Sequence, residues 1–440
     1  MHVPPAMDAA VATPVATPVD TPVDTPVDTP VDTPVDTPVD REAEVDAALR
    51  FLLVRGVGAG RMRQIRSSCG SFARAIACTP AEIAAAIRVD EVEASRVLAD
   101  ARACGPAVEA ERREAARLGV RVVLLSDDEY PELLGASPDP PELLFVRGEL
   151  TAAVEPAVAI VGSRRATAYG SLQAGTLAVS LAERGIPVVS GGARGIDAEA
   201  HRGALRARGR TIAVLATGFA QPYPSEHAEL FETVVEAGGA LVTEQPSFVT
   251  ARPDLFPRRN RVIAALSLLT VVVEAANRSG ALLTARIAVD DLSREAACMP
   301  GPVTSALSAG CHRAIREGWA HLVTGADDVA EILAGSRPLI AGAREVADRT
   351  RADRIRQAAR AEPKARAPQA KGDRCSARPQ LSPDAEAVSE AVKRLGGAGF
   401  DELERELAWT VPRIASAALE LELLGLVARD AHGAFRMKRG

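Results

Sequence analysis

Across its 440 residues the chain sets 52 Lys and Arg against 58 Asp and Glu, a formal net charge of −6. Residues 1–40 hold seven Asp and no Lys or Arg, which leaves the chain beyond them at +1, so overall charge neither demands nor excludes a polyanionic partner. All four Lys fall at or after Lys364, which excludes a phosphate-gripping or Schiff-base lysine anywhere before it.

Taken in chain order, residues 13–40 repeat TPVA or TPVD seven times. Pro at every fourth position opposes helix and ladder pairing, and Asp adds self-repulsion, so residues 1–42 read as an extended, disordered tail. Residues 43–120 read as helical. Their stretch ALRFLLVRGVGAGRMRQI places Gly56, Gly58 and Gly60 between two helices, a helix-hairpin-helix or SAM-like pattern, with a plain turn between packed helices as the alternative. Strands and helices alternate from Ala157 to about Leu333, and the domain is drawn as 121–340. The predicted strands are AVAIVGS, PVVSGG, TIAVLATG, ALVTEQ, LLTVVVEA and EAACMPG. Near-continuous apolar strands between amphipathic helices predict an α/β fold, an extended Rossmann-like parallel sheet covered on both faces. Residues 341–382 hold eleven Arg or Lys against five Asp or Glu and read as a basic linker. Three helical stretches and a Gly-centred hairpin over 383–440 suggest a winged helix.

Ligands on such sheets sit at the carboxyl ends of the strands, and the unusual clusters fall there. VGSRRATAYG offers Gly162, Ser163, Arg164 and Arg165, with Ser163 as a helix cap or phosphate donor and two forked guanidinium groups. SGGARGID offers Gly191, Gly192, Arg194 and Gly195, whose N–H groups can converge on an anion, with Asp197 as the brace of the loop. LFPRRNRVIAALS crowds Arg258, Arg259 and Arg261 around Asn260, with Arg252 upstream. Cations at a helix N-terminus oppose its dipole, so these point to a row of phosphates. Ser279 and Gly280 open another helix after a strand, and His312, in PGPVTSALSAGCHRAIREG, reads as a structural histidine.

The ordered series GSR, SGGARGID, TGFAQPYP, TEQPSF, FPRRNRVIA, RSGALLTA, PGPVTSALSAGCHRAIREG and LVTG, preceded by RVVLLSDDEYPELLGASPDPPELLFVRG, resembles the DprA/Smf family of bacterial DNA-processing proteins. The resemblance implies a single-stranded DNA-binding protein of natural transformation and recombination. It also implies a homodimer through the Rossmann-like domain and help in loading RecA recombinase. It maps the family's main DNA-contacting arginine onto Arg164 and its other blocks onto Gly191, Gly192, Arg258, Asn260 and Arg261. Members often carry Lys after the YP of the third-strand loop, where this chain has Ser225 and Glu226.

The rival reading is a related Rossmann-like hydrolase of nucleoside monophosphates. It needs a PGGxGTxxE block, whereas this chain has PGPVTSALSAG, so we expect no catalysis. A double-strand regulator is a further alternative, but VPRIASAALELELLGLV sets Arg413 against Glu420 and Glu422, which suits protein contact better than phosphate. The six Cys show neither CxxC nor zinc spacing, no secretory signal is visible, and VIAALSLLTVVVEAA is too short and polar to span a membrane. The expectation is a cytoplasmic protein with reduced thiols and no metal or cofactor.

Overall fold

The computed structural model describes residues 40–150 and 156–336 continuously, and beyond them chiefly 383–395, 400–407, 427–429 and 435–437. The TPVD repeats and nearly all of the 341–382 linker lie outside the described residues. The chain divides into two compact units, Met1–Pro363 and Lys364–Gly440.

The first unit is built on a nine-stranded sheet: β1 (Val120–Leu124), β2 (Leu143–Gly148), β3 (Val158–Val161), β4 (Val188–Ser190), β5 (Thr211–Val214), β6 (Ala240–Thr243), β7 (Leu269–Val272), β8 (Glu295–Cys298) and β9 (His321–Leu322). The spatial order is β1-β2-β6-β5-β4-β3-β7-β8-β9. Strands β3 to β9 pair in parallel, and all six predicted strands are among them. The departure from an all-parallel sheet is at one edge, where β1 and β2 run antiparallel, β2 against β6. Strands β3 to β7 are buried at every position, the signature of a sheet with helices on both faces.

The N-terminal helices begin at Arg41, capped by the Asp40 carboxylate. They share a core with one face of this sheet: Leu49, Phe51, Ile65 and Phe72 are continuous with Phe145, Leu215 and Phe231. Glu44 is buried because it caps the helix Phe72–Ala77, accepting from the Phe72 and Ala73 N–H groups at 2.9 Å each, with Arg66 at 3.4 Å. On the sheet side, buried Arg294 donates to the carbonyls of Ala264, Ala265, Ser267 and Leu133 at 2.6–2.8 Å. It thereby satisfies the open C-terminal end of the helix Leu255–Ala265.

Against the first residues of β4 and β5, in the helix Ile196–Arg206, lies a buried imidazole whose tautomer is dictated by its neighbour. The Thr211 hydroxyl donates to Val188 O at 2.7 Å, so His201 Nδ1, 2.7 Å from that hydroxyl, must be the donor. Nε2 is then bare and buried, with no hydrogen-bond partner among the described residues. Burial holds this imidazole down to about 3, against an ordinary 6.5. The folded value lies below the unfolded one, so the stabilisation is complete above pH 6.5 and drains as pH falls towards 3. We expect acidification from pH 7.5 to 5 to cost about 2 kcal/mol through this residue. Melting curves of wild type and His201→Leu should therefore converge as pH falls; parallel curves would refute the assignment.

The second unit contains the helices Pro383–Leu395 and Phe400–Leu407 and an antiparallel pair, Val427–Arg429 with Phe435–Met437. Val388, Leu403, Ile414, Leu421 and Phe435 form its core. The predicted third helix, 411–427, falls mostly outside the described residues. Arg413 within it is bound to Asp384 at 2.7 Å and lies over the Trp409 ring.

Candidate nucleic-acid interface

Strand β3 has β4 on one side and β7 on the other, and chain direction along the sheet reverses there. In an open parallel sheet the loops beyond that point part and leave a crevice. Here it is a cleft of about 610 Å³ between the Gly162–Arg165 loop, the start of the helix Leu255–Ala265 and the Arg278–Gly280 turn. The first loop is pinned from below. Buried Glu274, just past β7, accepts from Thr167 N at 2.9 Å and from its hydroxyl at 2.6 Å, while Thr167 caps the helix Ala168–Glu183. Ser163 is not that helix cap: its hydroxyl accepts from Arg165 N at 3.1 Å. Gly162 and Gly195 are set by close approach of the two loops. A Cβ at Gly162 would lie 2.5 Å from Ile196, and one at Gly195, where φ is +74°, would lie 2.3 Å from Ser163 O.

The arginines of the FPRRNR block do not form one row, and this corrects the sequence expectation. Successive helical residues turn by about 100°, so four neighbours cannot face one ligand. Phe256, Arg259, Asn260 and Ile263 face the switch-point cleft. Arg258 and Arg261, with Arg252, face a second cleft of about 650 Å³ beside Gly58 and Gly60. Arg261 is bound to Glu244 and to Asp139 O. Arg259 is buried and turned inward, its guanidinium donating to Gly191 O and Val214 O; burial lowers it to about 10. Asn260 reaches Gly280 O at 3.3 Å, and Ser279 caps its own helix through Ala281 N at 3.2 Å.

The glycine loop after β4 is corrected as well. The N–H groups of Gly191 and Ala193 do converge on an anion, but it is Asp197 Oδ2, at 3.1 and 3.3 Å. Gly192 is buried against Phe231, and its carbonyl meets His227 Nδ1 at 2.9 Å. A phosphate therefore finds that nest occupied. Burial pushes the Asp197 carboxyl up, opposed first by Arg259. His312 is structural, accepting from Gly301 N at 3.3 Å.

What remains exposed at the rim of the cleft is cationic. Arg164, Arg165 and Arg278 are exposed at the cleft and have no ion-pair partner among the described residues. Arg278 was missed in the sequence, although a basic residue directly ahead of a Ser-Gly helix start was the available signal. Arg164 lies over the Phe256 ring, 4.6 Å from its centroid. Phe256 meets Tyr223 edge-on at 5.7 Å, and Arg194 lies 5.6 Å from the Tyr223 ring. Arg194 is also paired with Glu226, so the residue following Ser225 partly neutralises that end of the run. Cation, aromatic, aromatic and cation thus follow one another away from the cleft.

The fold and the site define an α/β protein with an arginine-rimmed cleft at its switch point and a run of aromatic and cationic side chains beside it. The family described as DNA recombination-mediator protein A matches residues 121–334. The Smf protein of Synechocystis is 33% identical over 322 residues, 69% of this chain and 77% of that relative. The putative DNA processing protein DprA of Mycobacterium tuberculosis is 46% identical over 241 residues, half of this chain and 61% of its own length. The crystallised DNA processing protein A of Streptococcus pneumoniae superposes with a TM-score of 0.52 at 29% identity, over 67% of this chain and 98% of that one. The chain belongs to the DprA/Smf family.

Proposed function

We propose that this protein binds single-stranded DNA in the switch-point cleft and along the aromatic run beside it. In doing so it protects incoming strands and helps load RecA recombinase during natural transformation and recombination. The observation that carries the reading is that Arg164, Arg165 and Arg278, without an ion-pair partner among the described residues, adjoin the Phe256–Tyr223–Arg194 run. Phosphates need the first, and unstacked bases, which every single strand offers and a duplex hides, need the second. The names of the Bacillus subtilis and Streptococcus pneumoniae relatives, DNA processing protein DprA, agree with it. The proposed contacts are Gly162, Ser163, Arg164, Arg165, Arg278, Ser279 and Gly280, with Arg194 at the far end. We further read the N-terminal helices as a helix-hairpin-helix or SAM-like element, the C-terminal unit as a winged helix, and the sheet domain as the dimerising part. The protein is read as a binder and not a catalyst, so nucleoside monophosphates incubated with it should yield no free base.

Titration of single- and double-stranded oligonucleotides at several salt concentrations tests this. Single strands should bind tighter, and log K should fall with log salt at a slope of about −2, three phosphates at about 0.7 each. Duplex binding of equal strength, or affinity indifferent to salt, would reject the proposal.

A further inference from the structure

The floor of the switch-point cleft holds a group that phosphate binding does not explain. Asp197 is 5% exposed, yet it lines a cleft that Arg164, Arg165 and Arg278 also line. Its Oδ2 is committed to the Gly191 and Ala193 N–H groups. Its Oδ1 has no hydrogen-bond partner among the described residues and is not fully buried, and Asp197 is one of the residues that line the cleft. A phosphate pressed to that depth would meet like charge in a poorly solvated place. A hydrogen-bond donor is what fits.

We propose that one nucleotide of the bound strand enters the cleft base first, and that a base N–H donates to Asp197 Oδ1 while the phosphates stay at the arginine rim. The inference rests on the single-strand reading above. Within a DNA strand the base is the only source of such a donor, because an ionised phosphodiester has no proton and an interior deoxyribose has no hydroxyl. Val161, Ile263, Leu283 and Leu307 supply apolar walls for the ring faces. The cleft volume of about 610 Å³ lies within the range of small-ligand sites. Each natural base presents at least one N–H donor, so this contact accepts any sequence and rejects only a base that has lost its donors. The carboxylate thus reads orientation, base inward, without reading sequence.

The test compares a short thymidine oligonucleotide with the same strand carrying difluorotoluene for each thymine, which keeps the shape and removes the donor. Wild type should bind the thymidine strand about tenfold tighter, the scale of one hydrogen bond to a charged group. Asp197→Asn keeps the loop brace, since its amide oxygen still accepts from Gly191 and Ala193, and places an N–H₂ donor where Oδ1 stood. In that variant the preference should vanish or reverse. Equal wild-type affinity for the two strands, or an undiminished preference in folded Asp197→Asn, overturns the base-inward contact and leaves strand binding standing. Absence of binding to either strand overturns the proposed function instead. Should the variant melt at low temperature without DNA, the wild-type comparison decides by itself.

Discussion

Arg259→Met should lower the stability of the first unit by about 4 kcal/mol, with no nucleic acid present. The wild-type guanidinium donates to two buried carbonyls, Gly191 O after β4 and Val214 O at the end of β5. Each loses its donor in the variant, at about 1–3 kcal/mol per buried unsatisfied group. Asp197 simultaneously loses its main opposing charge while remaining buried. A side chain of similar length fills the space, so the loss is electrostatic and not a cavity effect. Melting should show the change as a Tm lower by roughly 10 °C. An unaltered Tm together with weakened strand binding would return Arg259 to the ligand-binding set.

The opposite pattern is expected for the triple variant Arg164→Ala, Arg165→Ala, Arg278→Ala. These side chains are exposed and have no ion-pair partner among the described residues, so their removal should leave Tm within a degree or two. Charge-assisted hydrogen bonds to phosphate are worth about 1.5–3 kcal/mol each, so single-strand affinity should fall by about a thousandfold or more. The salt slope should drop from about −2 towards zero. Arg164→Ala alone should cost about 30-fold, because it removes a phosphate donor and uncovers the Phe256 ring. Gel-shift titration with circular dichroism on the same samples separates the two patterns. Retained affinity and slope in the triple variant would remove this cleft from the interface.

The contrast between Arg259 and Arg164 shows where the sequence stops being informative. Both lie in Arg-rich blocks at strand-to-helix junctions, and local composition treats them alike. The difference is angular. Arg164 sits in a loop held outward by Thr167 and Glu274, whereas Arg259 projects from a helix face that turns towards the β4 and β5 ends. The SGGARGID loop makes the same point. Its glycines announce an anion nest and Asp197 reads as the brace of the loop, but only the fold shows that the brace takes the nest's own N–H groups, those of Gly191 and Ala193.

The linear pattern alone determined the six inner strands, the helices between them, and the placement of the Arg- and Gly-rich loops at the strand ends. Those features depend on the spacing of apolar residues and on glycine and proline, which act locally. Tertiary structure alone decided which arginines are free, which are spent on backbone carbonyls or carboxylates, and that Phe256 and Tyr223 stand beside Arg164 and Arg194. It also decided that β1 and β2 close the sheet antiparallel. These outcomes depend on neighbours distant in the chain, where burial and competition for hydrogen bonds settle each side chain's direction.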